Sequence, residues 1–201
     1  MSLLQKRITV GILAALSIIL FYWKIPLPFF PSVLTLDLSD LPSLVGAIIL
    51  GPVAGILIQL LKNIVDFLTH GSYVGLPINQ IANFLSGSIM VGMVGVFYHY
   101  KQRLNWQSIL VSISVFLAAM YALNYYFILP SIMNLLGLNL EQYIVTFSSV
   151  NPYATTFSKA VLLVIVPFNL IKVLIVYGVG LPFAMRLQRV TKLNEKRSFA
   201  A

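Results

Sequence analysis

Six apolar segments, at residues 8–23, 41–50, 53–68, 78–98, 106–129 and 157–187, take up most of the chain and limit its fold more than any motif does. A helix needs about 20 predominantly apolar residues to cross the hydrocarbon core of a bilayer. Most of these segments approach or exceed that length. Composition agrees: of 201 residues, 59% are hydrophobic and 9% charged, against roughly 45–50% and 25% in soluble domains. The chain is therefore expected to be an all-α integral membrane protein, one membrane domain over 1–201 with six transmembrane helices. The second segment is short for a span, and Gly51–Pro52 divides it from the third by a tight turn, which predicts a short, tilted or proline-adjusted helix there. The first begins with Lys6–Arg7, as a signal peptide would. It runs into Trp23-Lys24-Ile25-Pro26 without a small-x-small cleavage site, so it is expected to stay.

Six spans put both termini on one side. With the N-terminus cytoplasmic, that side receives Lys6, Arg7, Lys101, Arg103, Arg186, Arg189, Lys192, Lys196 and Arg197, whereas the outer side keeps Lys24 and Lys159. This asymmetry follows the positive-inside rule. The net charge of +8 thereby reads as a topology and lipid-headgroup signal and not as a nucleic-acid surface. A multi-pass protein of a prokaryotic cell membrane with both termini cytoplasmic is the expectation.

Between the first two segments lies "KIPLPFFPSVLTLDLSDLP", residues 24–42. Pro26, Pro28 and Pro31 exclude a helix, since each lacks an N–H and its ring clashes with the turn behind. From Leu34 to Ser39 the chain alternates: Leu34, Leu36 and Leu38 on one face, Thr35, Asp37 and Ser39 on the other. Period two means an extended segment with one apolar face. Ser39 or Asp40 is placed to cap the next helix. Two readings stand for this irregular, extended outer loop: a lid over a pocket between helices, or an interfacial loop whose Phe29 and Phe30 rest among headgroups. Irregular backbone near a bilayer is tolerated where protein covers it or it lines a cavity.

Polar groups inside the spans are costly and usually face the protein interior. Lys62 and Asp66, four apart, are expected to pair. Asn79, Gln80 and Asn83 open the fourth segment, and Asn124 stands near the outer end of the fifth. Asn169 and Lys172 share a helix face just after Pro167, which bends the helix and frees a carbonyl. A lysine at mid-bilayer costs about 2.5–3.5 kcal/mol on the lenient insertion scale. Lys172 therefore needs an acceptor, either a polar ligand or a structural partner such as Asp66.

Several chemistries are excluded. No cysteine is present, which removes disulfides, thiolate nucleophiles and thiolate metal sites. No G-x-x-x-x-G-K-[ST] occurs, so the chain carries no P-loop. His70 and His99 stand at helix ends without a second metal ligand at suitable spacing, and read as solvated; no metal and no catalytic residue is expected. Ser86-Gly87-Ser88 and Gly51, Gly55, Gly92 and Gly95 read as helix-packing positions. The physics leads to a solute-binding membrane subunit with a lidded, partly polar pocket.

"KIPLPFFPSVLTLDLSDLPSLVGAIILGPVAGILIQLLKNIVDFL", with "NQIANFLSG", "ALNYYFILP" and "VPFNLIKVLIV" in that order, resembles the riboflavin-specific S component of energy-coupling factor (ECF) transporters over about residues 6–189. The resemblance implies vitamin capture from outside, a first outer loop that closes over the ligand, and a complex with a transmembrane coupling subunit and two cytoplasmic ATPases. It makes Asn124, Asn169 and Lys172 the polar contacts to the flavin and Thr35 the one from the loop, with Leu34 and Leu36 covering the rings; Asn83 joins them as a candidate. Riboflavin is then a transported ligand and no cofactor is required. S components generally pack small residues four apart on the first helix against the coupling subunit. Here Gly11 and Ala15 supply that face, while Ala14 and Ala15 are followed four later by Ile18 and Ile19. The alternatives are an S component for flavin mononucleotide or another vitamin, and a membrane-embedded enzyme acting on lipid or isoprenoid, for which Asp66 and His70 are the candidate pair.

Overall fold

The computed structural model describes residues 2–32, 34–71 and 75–198, with side chains as far as Thr191; the tail cations Lys192, Lys196 and Arg197 fall outside the described side chains. The chain folds mainly as helices. The α1 helix (Leu3–Phe21) starts from a capping box in which Ser2 and Gln5 satisfy each other's backbone N–H. The segment from 22 to 39 carries a two-residue antiparallel ladder, β1 (Ile25–Pro26) with β2 (Thr35–Leu36), pairing Ile25 with Leu36 and Pro26 with Thr35. Then come α2 (Asp40–Ile49), α3 (Pro52–His70), α4 (Ile78–Lys101) and α5 (Trp106–Leu123). A π turn at Asn124–Ile128 leads α5 into α6 (Leu129–Leu136). Next are α7 (Leu140–Ser148) and α8 (Phe157–Ala160), and a second π turn, Val161–Ile165, leads into α9 (Val166–Ser198). Among the described residues, five helical stretches are long and apolar enough to cross a membrane: Leu3–Phe21, Pro52–His70, Ile78–Lys101, Trp106–Leu136 and Phe157–Thr191.

The expected second span is the ten-residue α2, only about 15 Å long at 1.5 Å per residue. Its end has a plain cause. Gly51 adopts φ +115°, a conformation that side chains disfavour, and Pro52 opens α3 in its first turn, where a missing N–H is harmless. Two orphan carbonyls of α2 are met from α4: His99 Nε2–H donates to Ala47 O at 3.1 Å and Ile48 O at 3.2 Å. His99 is thus a half-buried cap and not the solvated helix-end residue its position suggested.

Although short, α2 is central. Every residue from Pro42 to Ile48 is buried, and Leu44, Ala47 and Ile48 pack into one core with Met90, Val91 and Val94 of α4, Phe116 of α5 and Val173 and Val176 of α9. In lipid, helices gain little by hiding apolar surface from one another, so close backbone approach carries the packing. Gly55 makes that approach possible: a Cβ there would lie 2.7 Å from Ala47 Cβ and 2.8 Å from Ser43 O. A second apolar cluster joins Leu129, Phe147, Ala160, Val161, Val164 and Ile165, and Phe30 and Leu34 from the loop pack against it. Its Phe147 belongs to α7, a helix outside the six apolar segments, whose start is an Asn139–Gln142 capping box.

Candidate functional site

The carboxylate of Asp40, fully buried at the first residue of α2, is the hub of the molecule's polar interior. Lys62 Nζ lies 3.0 Å from Oδ1 and Lys172 Nζ 2.9 Å from Oδ2. Gln59 Nε2 donates to Oδ1 at 2.7 Å and to Ser43 Oγ at 3.0 Å. Lys62 also donates to Ser39 Oγ at 2.8 Å, and the Ser39 hydroxyl and its backbone N–H donate to Asp37 Oδ1. Ser17 of α1 donates to Ser39 O. Every one of these side chains is buried. The two lysines and two aspartates sum to zero charge, as a dry site demands, because an unpaired ion there leaves a large desolvation penalty uncompensated.

Three expectations change here. Lys62 does not pair with Asp66: it turns to Asp40, while Asp66 holds His70 Nδ1 at 3.2 Å and accepts from Gln80 Nε2 at 2.8 Å. The structural partner of Lys172 is likewise Asp40 and not Asp66. Ser39 takes the N-cap position of α2 without a side-chain capping bond, since its hydroxyl serves Asp37 and Lys62 instead. The alternating pattern also fails as an apolar-in, polar-out strand. Asp37 and Ser39 are buried along with Leu36, because the hidden lysines draw the polar face inward.

Asn124 and Asn169 flank the second feature. The two π turns pack against each other, and π turns concentrate at functional sites because the extra residue re-aims the side chains around it. Each is followed two residues on by a proline, Pro130 and Pro167, that returns no N–H to the preceding turn. Asn151 Nδ2 reaches one carbonyl of the second turn, Leu163 O, at 3.4 Å. Asn124 opens the first turn and gives one amide N–H to Met120 O at 2.8 Å. Asn169 follows the second and gives one to Ile165 O at 2.9 Å. Both side chains are buried, and each retains an amide oxygen and a second N–H for another group. The loop lies over this region: Leu34 packs on the second apolar cluster, and the Phe30 ring meets Phe168 edge-on at 5.6 Å between centroids. Phe29 points away, 88% exposed with φ +70°. Burial beside this cluster pushes the Tyr143 phenol of α7 up to about 12, so it stays a neutral donor.

Residues 5–184 match the family model for the substrate-specific component of ECF transporters. The chain belongs to that family. The substrate-specific component is 31% identical over 192 residues to riboflavin transporter RibU of Staphylococcus aureus (strain TCH60), covering 94% of this chain and 93% of the relative. It is 30% identical over 172 residues to riboflavin transporter FmnP of Bacillus subtilis (strain 168), 86% of each. A solved structure of the S component of a bacterial ECF transporter superposes with a TM-score of 0.70 at 28% identity, covering 95% of this chain and 99% of that one. The family is a transporter component and not an enzyme.

Within the S component, the sequence-derived candidates divide. Thr35 and Leu36 form β2, with Leu36 buried and Thr35 half-buried beside Leu34. Lys172 joins the Asp40 cluster, one turn from Asn169 on α9. Asn83 lies elsewhere on α4: it shares a helix stripe with Gln80, which reaches Asp66, and with Gly87, against which Gln59 packs. Its half-buried side chain leaves Oδ1 without a hydrogen-bond partner. Beside that stripe an apolar groove of ≈ 220 Å³ runs between α3 and α4, lined in part by Leu60, Ile64, Phe67 and Phe84. Gly11 and Ala15 are both exposed, on a face of α1 shared with Ile8, Ile12 and Ile19. Asp40 is the residue that sequence reasoning missed. The signal was charge accounting, since two intramembrane lysines need at least one buried acid and the loop end is rich in them.

Proposed function

We propose that this S component binds riboflavin and delivers it inward together with an ATP-driven ECF module. In this reading six spans, counting α2, carry the chain across a prokaryotic cell membrane as one domain with both termini cytoplasmic, and the loop over residues 22–39 covers a pocket open to the outside. Two lines support it: the near full-length similarity to proteins named as riboflavin transporters, and the arrangement of Asn124 and Asn169 at adjoining π turns beneath a loop that packs on them. The second carries the chemistry. The pyrimidine edge of the isoalloxazine alternates acceptors with an N–H, and an asparagine amide offers the complementary donor and acceptor. Lys172 is ion-paired with Asp40 and keeps N–H donors for carbonyl or ribityl oxygens, with Thr35 contributing a hydroxyl, Asn83 a further amide, and Leu34 and Leu36 apolar cover.

The charge balance favours riboflavin over flavin mononucleotide. A phosphate calls for cations with charge to spare, and Lys62 and Lys172 are matched by Asp37 and Asp40. Gly11 and Ala15 would let the coupling subunit approach α1 closely, and two cytoplasmic ATPases would supply the energy. Reconstitution tests the whole reading. The protein alone in vesicles should bind riboflavin without accumulating it, and adding the coupling subunit and ATPases should give ATP-dependent uptake. Concentrative uptake by the isolated protein, or no uptake with the full module, would refute it.

A further inference from the structure

Lys172 and the covering loop meet at one buried carboxylate. Asp40 Oδ2 holds Lys172 at 2.9 Å, and Oδ1 is held from the other side by Lys62 at 3.0 Å and Gln59 at 2.7 Å. Asp40 directly follows Ser39, the last residue of the loop, whose hydroxyl bonds both Lys62 and Asp37. We propose that Asp40, braced by Lys62 and Gln59, is a positioning residue that holds the Lys172 ammonium ready for the ligand and couples that contact to the end of the covering loop. This deepens the riboflavin reading and rests on it.

The physical case has three parts. A lysine side chain is among the costliest to immobilise, so a site that fixes its ammonium before the ligand arrives removes that cost from binding. A bare ion pair would also leave Asp40 free to follow Lys172, whereas two further donors on its other oxygen anchor it to α3. Finally, packing alone does not require these charges, because apolar residues of similar volume commonly serve a buried core as well as an ion pair or better. A tug on Lys172 by a bound ligand is felt at Asp40, and through Ser39 and Asp37 at the backbone leading back to Leu36.

A double-mutant cycle on riboflavin affinity tests this, with thermal unfolding of the ligand-free proteins measured in parallel. Asp40→Asn should weaken binding by about tenfold or more in the folded protein, as losing the buried ion pair that holds Lys172 implies. In a Lys172→Ala background the same change should alter affinity by less than about twofold, since Asp40 acts through Lys172. A purely structural role predicts equal losses in both backgrounds, with affinity following stability. Equal losses, or Asp40→Asn binding within about twofold of wild type, would overturn the proposal. If Asp40→Asn alone does not fold, Asp40→Asn with Lys62→Gln keeps the buried charges balanced and enters the same cycle with the same two outcomes. Failure of the wild type itself to bind riboflavin would overturn the ligand reading and this one with it, whereas wild-type binding with an additive cycle overturns only the role of Asp40.

Discussion

Gly55→Ala should loosen the protein where the smallest change does the most. Its Cβ would lie 2.7 Å from Ala47 Cβ, 2.8 Å from Ser43 O and 3.2 Å from Ala47 Cα, against a comfortable carbon contact of about 3.5–4.0 Å. Ser43 O and Ala47 Cα are backbone and Ala47 Cβ cannot rotate aside, so α2 and α3 must part by about 1 Å. Overpacking of this kind costs roughly 1–3 kcal/mol, and the better helix propensity of alanine returns about 1 kcal/mol, leaving a net loss of about 1 kcal/mol. The same displacement would stretch the Gln59 and Lys62 contacts to Asp40, now 2.7 and 3.0 Å, to or past the useful hydrogen-bond limit of about 3.5 Å. Riboflavin affinity should therefore fall with stability. Two glycines serve as controls. Around Gly180 the crowding atoms are Leu44 Cδ2 at 2.7 Å and Leu41 Cδ2 at 2.9 Å, which can rotate aside, and nothing lies within 4 Å of a Cβ at Gly11. Thermal unfolding in detergent should rank Gly55→Ala below wild type and Gly11→Ala at or above it, with Gly180→Ala between the two variants. A Gly55→Ala protein that melts at or above wild type would refute the reasoning.

Asn124→Ala and Asn169→Ala should each weaken riboflavin binding by roughly 1–3 kcal/mol, read from quenching of the flavin's own fluorescence; wild-type affinity in both would remove the π-turn region from the pocket. Asp66→Asn should lower the melting temperature, because the carboxamide keeps only one acceptor oxygen where the carboxylate served both Gln80 and His70, yet leave affinity near wild type, and a large loss of binding would mean that the Asp66 contacts reach the pocket. Gly11→Leu with Ala15→Leu should abolish module-dependent uptake while sparing binding, since the filled face blocks close helix approach. Poor binding by that double variant would make the face part of the fold instead.

The helices were legible because their cause is local. Apolar runs of bilayer length announce themselves, and Gly51–Pro52 marked the break between α2 and α3. The two π turns were half legible: Pro167 signalled a disturbed helix, but which hydrogen bonds shift depends on packing between Asn124–Ile128 and Val161–Ile165, far apart in the chain. The ion cluster was the hardest to read. Spacing made Asp66 the natural partner of Lys62, yet a partner four residues away on the same helix lost to one 22 residues away, because burial in the fold strengthens the distant pair and the near one has His70 and Gln80 to satisfy it. The loop misled for the same reason: its alternation is real in sequence, but the ion cluster around the lysines of α3 and α9 buries its polar face along with Leu36.

Titration of the purified, ligand-free protein with riboflavin tests the central claim most directly. The account predicts saturable quenching of flavin fluorescence that ends at one riboflavin per chain, undiminished by competing flavin mononucleotide at equal concentration. Absence of saturable quenching, or displacement of riboflavin by an equal concentration of flavin mononucleotide or another vitamin, would contradict it.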